Sequence, residues 1–127
     1  MKSESVKSKQ YDLEERTAKF GESVISLVRK VNPDVVNRPI INQLVKCATS
    51  IGANYMEANG AESKKDFMHK IGISKKECRE TKHFLRMIIS CNPETEEKAK
   101  ELWQEAHELT LIFGAITRKK PKENFNL

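Results

Sequence analysis

The residues best suited to catalysis or metal binding are scattered through this sequence. His69, His83 and His107 are isolated, and Glu-x-x-His does not recur on two helices as a di-iron bundle would require. Glu105, His107 and Glu108 come closest to a set that could transfer protons or bind a metal ion. They fall on the charged side of one predicted helix, so we interpret them as a solvated surface. We therefore predict no enzyme, no metal site and no cofactor.

The cysteine and glycine patterns also lack a reactive arrangement. Cys47, Cys78 and Cys91 are odd in number, widely spaced and outside the close Cys or His pairs that zinc sites use. We interpret all three as reduced core residues, because free cysteine packs like a small apolar side chain. The glycines are isolated, so none forms a phosphate-binding loop.

Basic residues are concentrated in one segment of this 127-residue chain, whose formal net charge is +5. Residues 64–86 contain eight Lys or Arg and three Asp or Glu, which alone gives a net charge of +5. Four of the basic residues are spaced at i, i+4, i+7 and i+11, which places them along one side of a helix beside its buried row. This basic stripe consists of Lys75, Arg79, Lys82 and Arg86. The further candidate nucleic-acid-binding residues are Lys65 and Lys76, with Arg118, Lys119 and Lys120 near the C-terminal end.

The next segment has the opposite charge. Residues 94–108 contain six Glu and two Lys, a net charge of −4. The basic and acidic faces could pair within one subunit or between subunits, or the basic stripe could stay free for phosphates. The stripe could also be simply a solvated helix face. The residues alone leave these alternatives open.

Four periodic segments position these residues. Apolar residues recur at alternating spacings of three and four over residues 12–31, 37–59, 63–92 and 93–120, which predicts four α-helices. The third should be the longest. Gly60 is predicted to end the second helix in the left-handed conformation, and Ser63 with Asp66 resembles a capping box that begins the third. The prolines mark helix starts or ends, and Pro121 should end the fourth helix.

The predicted core takes one inward row from each helix. Its members are Leu13, Phe20, Val24, Leu27, Val28 and Val31; Ile40 or Ile41, Leu44, Ala48, Ile51 and Tyr55; Phe67, Ile71, Ser74, Cys78, Thr81, Leu85 and Ile88; and Ala99, Leu102, Ala106, Leu109, Phe113 and Ile116. Long helices joined by short loops favour an all-α, antiparallel up-down-up-down four-helix bundle with left-handed packing at about 20°. We place the bundle at residues 11–118, with a mobile tail at 1–10 and a basic mobile tail at 119–127.

Targeting and membrane signals are not found in the sequence. There is no charged and apolar leader, and no apolar run of about 18 residues that could cross a bilayer. We therefore expect a cytoplasmic protein without a membrane partner.

A motif in the second predicted helix resembles that of a known family. Residues 50–60 read S-I-G-A-N-Y-M-E-A-N-G, and E-C-R-E-T-K-H-F-L-R begins at Glu77. The sequence from about residue 11 to residue 118 is similar to the bacterial 23S ribosomal RNA intervening-sequence proteins, which are four-helix bundles. Their usual pattern is S-I-x-A-N-I-A-E-G, from which this chain differs at Tyr55, Met56 and Ala58. The family is similar in turn to the accessory protein of diversity-generating retroelements, which implies a ring-shaped homopentamer with a basic surface that binds nucleic acid.

The polar residues of the motif have a structural interpretation. Asn54 and Glu57 lie three apart on the second helix and could form a polar cluster at a helix contact, with Glu57 meeting a Lys or Arg of the third helix. Polar groups near a core must be paired, and such pairs often fix the packing register.

These observations predict a non-enzymatic nucleic-acid-binding accessory protein, acting as a homo-oligomer and most simply as a pentamer. It would contact RNA or DNA phosphates through the basic stripe and the basic tail. We expect few stacking residues on that face, so binding should depend on charge and shape and weaken as salt rises. The alternative is a protein interaction module that recruits a polymerase or a ribosome-associated partner, with the basic helix used in assembly.

Overall fold

Four α-helices make up the fold, as the sequence predicts. The computed structural model describes residues 12–125, and the side chains of residues 12–118. The helices are α1 (Leu13–Arg29), α2 (Asn37–Asn59), α3 (Lys64–Cys91) and α4 (Glu96–Phe125), and a short 3-10 turn at Pro93–Thr95 precedes α4. Within residues 12–125 the structure has no strand.

The helices form an antiparallel bundle in which each packs against the next in the chain. Along each pair of consecutive helices, the residue numbers rise on one helix as they fall on the other, because short loops reverse the chain direction. Of the neighbouring helices in the bundle, α1 and α4 approach each other least closely. The contacts that show the direction are Asn59 with Glu14, Glu57 with Lys70, and Lys82 with His107.

The core confirms the predicted inward rows. Ile71, Cys78 and Leu85 of α3 have no exposed surface, and neither do Leu109 and Phe113 of α4. A few members at the ends of the rows are only partly buried because they pack against the rim of the core: Val28, Ile40, Ile41, Tyr55, Phe67 and Ile116. The 3.6-residue period therefore located the buried faces correctly.

Two helix ends confirm the sequence signals. The backbone N–H of Asp66 donates to Ser63 Oγ at 3.0 Å, as expected for the residue that caps α3. α3 ends at Cys91, just before Asn92 and Pro93. The residue before a proline avoids the helical region, which explains the stop.

Two other helix ends differ from the prediction. Gly60 has φ −95° and ψ 6°, so it is not left-handed. Its N–H donates to the carbonyls of Met56 and Glu57, which finishes α2 as a tight right-handed turn without a left-handed residue. α4 continues past Pro121 to Phe125, and its 30 residues exceed the 28 of α3. Proline removes one helical hydrogen bond, but its φ remains helical.

The predicted tails lie largely outside the described residues. Residues 1–10 are among those not described, and so are the side chains of residues 119–127. The limits proposed for the bundle, 11–118, stay a prediction.

The S-I-G-A-N motif joins three helices. Ser74 Oγ of α3 donates to the Ile51 carbonyl at 3.0 Å in the buried core. On the other side of α2, a Cβ at Gly52 would lie 3.0 Å from Thr17 Oγ1 of α1. Thr17 is itself buried and donates to the Leu13 carbonyl at 2.7 Å. Glycine therefore permits the close approach of α1 and α2 at this point.

A buried asparagine connects two loops at one end of the bundle. Asn37 is fully buried, and its Oδ1 accepts from the backbone N–H of Asp34 at 2.8 Å. Its Nδ2 donates to the Asn32 carbonyl and to Asn92 Oδ1, each at 3.0 Å. The loop between α1 and α2 is thereby tied to the end of α3.

Candidate nucleic-acid interface

The basic stripe lies on the side of α3 that faces α4. Because an α-helix turns by about 100° per residue, the four positions fall within an arc of roughly 60° and extend for about 16 Å along the axis. Lys75 and Lys82 are half-buried, and Arg79 and Arg86 are exposed. The structure thus brings the four residues together as one continuous row.

Between Trp103 and Gly114, the edge of α4 that faces this row has no Asp, Glu, Lys or Arg. Trp103, His107, Thr110 and Gly114 have the same i, i+4, i+7, i+11 spacing, in the antiparallel direction. Lys82 Nζ lies 3.1 Å from His107 Nδ1 and 5.1 Å from the centroid of the Trp103 ring. We call the basic stripe, Arg118 and this neutral edge of α4 the cationic groove.

Gly114 provides room at one end of the cationic groove. A Cβ at this position would lie 3.3 Å from an Nη atom of Arg118 and 3.7 Å from Lys75 Nζ. The two cationic side chains therefore meet above the glycine. Arg118 extends the basic row beyond α3.

Two glutamates of α4, Glu105 and Glu108, are directed away from the cationic groove. Arg16 of α1 forms ion pairs with Glu105 at 2.6 Å and with Glu108 at 3.0 Å, so these carboxylates face α1. The hydrogen bond with Glu105 raises the pKa of the Arg16 guanidinium. Two further glutamates pair with lysines of their own helix, as Lys100 with Glu96 and Lys98 with Glu101.

The basic stripe is therefore not neutralised within the described part of the subunit. None of its four cations has a carboxylate oxygen within 4.0 Å among residues 12–118. Pairing of the basic stripe with the acidic face inside one subunit, one of the alternatives left open by the sequence, is therefore not found among residues 12–118. Glu105 and Glu108 pair with Arg16 of α1 instead, and Glu96 and Glu101 pair with lysines of their own helix.

Two further predicted binding residues, Lys65 and Lys76, lie outside the cationic groove. Lys65 and Lys76 are exposed, and their helical positions place them on the outer face of α3. The side chains of Lys119 and Lys120 fall outside the described residues. Any contact that Lys65 and Lys76 make with nucleic acid would therefore be separate from the row beside α4.

The two polar residues of the motif make separate contacts. Asn54 Nδ2 donates to the Ser50 carbonyl of its own helix at 2.9 Å. Glu57 accepts from Lys70 Nζ of α3 at 2.7 Å, and this hydrogen bond raises the pKa of the Lys70 ammonium. Glu57 thus meets a lysine of the third helix, as the sequence suggested, but the structure has no hydrogen bond between Asn54 and Glu57.

Sequence reasoning missed Trp103. Its side chain is 38% exposed beside the basic stripe, where few aromatic residues were expected. The His107 ring stacks on it, with ring centroids 5.3 Å apart and planes at 13°. Trp103 and His107 are four residues apart on α4, as Lys82 and Arg86 are on α3. This shared spacing was a signal in the sequence that could have placed Trp103 beside the basic stripe.

The cysteines behave as packing residues. Cys47 and Cys78 are buried, and burial raises the pKa of both thiols, to about 12 for Cys78. Both therefore stay protonated and unreactive near neutral pH. Cys91 is partly exposed. Within the described residues, no three His, Cys, Asp or Glu side chains are grouped so that they could hold a metal ion.

The fold defines a small protein of the four-helix-bundle class, in which the cationic groove lies between α3 and α4. The family model for the 23S rRNA-intervening sequence protein matches residues 9–115, and the chain belongs to this family. The chain is also similar to a crystal structure from Bacteroides thetaiotaomicron, described as a protein of unknown function from the S23 ribosomal protein family. The two are 27% identical with a TM-score of 0.72, over 82% of this chain and 96% of that one.

No curated protein matches the chain. In the part of the chain that the structure describes, no helix is both long enough and apolar enough to span a membrane.

Proposed function

We propose that this chain is a non-enzymatic accessory protein that binds RNA or DNA phosphates in the cationic groove and acts as a homo-oligomer. The observation that carries the proposal is a row of four cations that have no carboxylate partner among residues 12–118, namely Lys75, Arg79, Lys82 and Arg86. A polyanion is the partner that complements such a row, because each cation can replace a counterion condensed on a phosphate.

The basic stripe destabilises the folded chain, and this supports a role for it in binding. Lys75 with Arg79, and Lys82 with Arg86, are like-charge pairs at i, i+4, and each pair destabilises a helix by about 0.2–0.5 kcal/mol. The glutamates that could relieve this repulsion pair with Arg16 instead. A bound phosphate backbone would remove the repulsion along the whole row.

The oligomeric part of the proposal rests on the family resemblance, which implies a ring of five subunits. Several apolar side chains outside the cationic groove are available for subunit contacts. Val35 is 88% exposed, Val36 64% and Leu111 57%. A ring would present several grooves at once, and linked sites bind a long polyanion far more tightly than one site does.

The alternative function is recruitment of another protein. The same exposed valines, which lie in the loop before α2, favour it because adjacent apolar side chains at a surface often mark contact sites. This alternative predicts feeble affinity for nucleic acid and leaves the basic stripe to subunit assembly.

Titration with a structured RNA and a duplex DNA over a salt series tests the proposal. If about five phosphates are contacted per subunit, affinity should fall roughly 100- to 500-fold between 50 and 200 mM salt. Light scattering in the same buffers should give a particle several times the 14.6 kDa of one chain.

Nucleic-acid binding and oligomerisation can be contradicted independently. Absence of binding at low salt would contradict nucleic-acid binding and favour the protein partner. A 14.6 kDa particle at all working concentrations would contradict the oligomer.

A further inference from the structure

We propose that the cationic groove contains a base-stacking site for one unpaired nucleotide, built around Trp103. The inference rests on the proposed function and goes further, because it names the part of a nucleic acid that the groove would recognise. It follows from the position of the indole ring, the side chains around it and the cations on either side.

The indole ring is held in place on one side. His107 stacks against it at 13°, and Lys82 Nζ lies 3.1 Å from His107 Nδ1. Because the ammonium lies beside the imidazole, both approach the indole from the same side. Trp103 remains 38% exposed, and the exposed part of its ring can receive a second ring.

The exposed part of Trp103 lines a cavity of about 470 Å³. This volume lies within the range of about 300–1,000 Å³ that small-ligand sites have. Ile89 provides an apolar wall, and the Gln104 amide offers both a donor and an acceptor to the edge of a base. The remaining lining residues are Arg86 and Lys100.

The cations are placed for the phosphates of such a nucleotide. Arg86 belongs to the basic stripe and has no carboxylate partner among the described residues, whereas Lys100 is paired with Glu96 at 2.8 Å. A strand whose base enters the cavity can continue past Lys82 toward Arg79 and Lys75. An aromatic surface beside a row of cations is the arrangement that single-strand binding proteins use.

This geometry favours an unpaired nucleotide over a duplex. In a duplex both faces of each base are covered by neighbouring bases, so only phosphates are available to the groove. Loops, bulges and single strands expose base faces that aromatic side chains can stack on. The groove should therefore bind duplexes through charge alone and single strands through charge and stacking.

The test compares two DNA oligonucleotides of equal length and charge, oligo(dA) and an abasic tract of the same sugar-phosphate backbone. The full chain should bind oligo(dA) about tenfold more tightly, within the range expected for one stacked base. Because Trp103 is the only tryptophan, its fluorescence should be quenched by oligo(dA) and not by the abasic tract. Oligo(rA) in a third arm shows whether the site prefers ribose.

Variants of Trp103 test whether the indole ring causes the preference for oligo(dA) over the abasic tract. Trp103→Ala should lose the tenfold preference while its salt dependence stays unchanged, because no charge is removed. Trp103→Phe should keep most of it, and Met56→Ala, at an apolar residue of α2 that is 60% exposed and outside the groove, serves as the matched control.

The outcomes separate the two proposals. Equal binding of oligo(dA) and the abasic tract by the unmodified chain, or a tenfold preference that survives Trp103→Ala, would overturn the stacking site and leave phosphate binding intact. If neither oligonucleotide bound at low salt, both the proposed function and the stacking site would be wrong.

Discussion

Replacing the four cations of the basic stripe by glutamine should weaken RNA binding by roughly 30- to 1,000-fold at low salt. The variant is Lys75→Gln, Arg79→Gln, Lys82→Gln and Arg86→Gln together. Each exposed charge contact contributes about 0.5–1 kcal/mol, and every 1.4 kcal/mol changes affinity about tenfold. The slope of log affinity against log salt should become shallower by about 3, because four counterion-releasing contacts are lost. Filter binding or fluorescence anisotropy measures both quantities.

A matched control removes the same charge from another surface. Arg29, Lys30, Arg38 and Lys46 are all exposed and lie on α1, at its end or on α2. Their replacement by glutamine should weaken binding by only a few fold. Equal losses in the two variants would show that net charge, and not the cationic groove, determines affinity.

Removing the Asn37 side chain should destabilise the bundle by about 2–4 kcal/mol. Asn37→Ala removes one acceptor and two donor contacts from a fully buried site, and each buried polar group left without a partner costs about 1–3 kcal/mol. The midpoint of urea unfolding should fall while the m-value stays the same, since the surface exposed on unfolding is unchanged.

Two further variants isolate the effect. Asn42→Ala changes an exposed asparagine of the same helix and should cost less than about 0.5 kcal/mol. Asn37→Asp keeps the shape but sets a carboxylate oxygen against the Asn32 carbonyl and Asn92 Oδ1 in a fully buried site, so it should destabilise the bundle at least as much as Asn37→Ala. A stable Asn37→Ala protein would mean that the loops are held by other contacts.

The sequence was sufficient for the buried faces of the helices. Ile71, Cys78 and Leu85 recur with the helical period, and burial follows the same period because a helix presents one side to the core. Ser63 and Asp66 located the start of α3, since a capping side chain acts on its own next turn. Features decided within one helix could therefore be predicted.

The errors at helix ends arose where alternatives of similar energy exist. Gly60 can adopt the left-handed conformation, but the backbone finishes the turn with right-handed hydrogen bonds instead. Pro121 disfavours a helix without forbidding one, and α4 continues past it. Residue preference gives only a weak guide to such choices.

The parts of the candidate site that the sequence did not predict depend on contacts between helices. Arg16 takes up Glu105 and Glu108 only because α1 lies on that side of α4. Trp103 belongs to the cationic groove because the antiparallel register sets it beside Lys82. The rotation and register of one helix against another are not contained in the periodicity of either. Charge counting found the basic stripe but could not show that its acidic counterpart faces elsewhere.

The most direct test of the central claim is a lysine footprint of the protein with and without bound RNA. Acetylation at limiting reagent, followed by mass spectrometry, reports the accessibility of each amine. Lys75 and Lys82 should react several-fold more slowly in the complex, while Lys19 and Lys46 on α1 and α2 should react at unchanged rates. Unchanged rates at Lys75 and Lys82, with protection appearing only at other lysines, would contradict phosphate binding in the cationic groove.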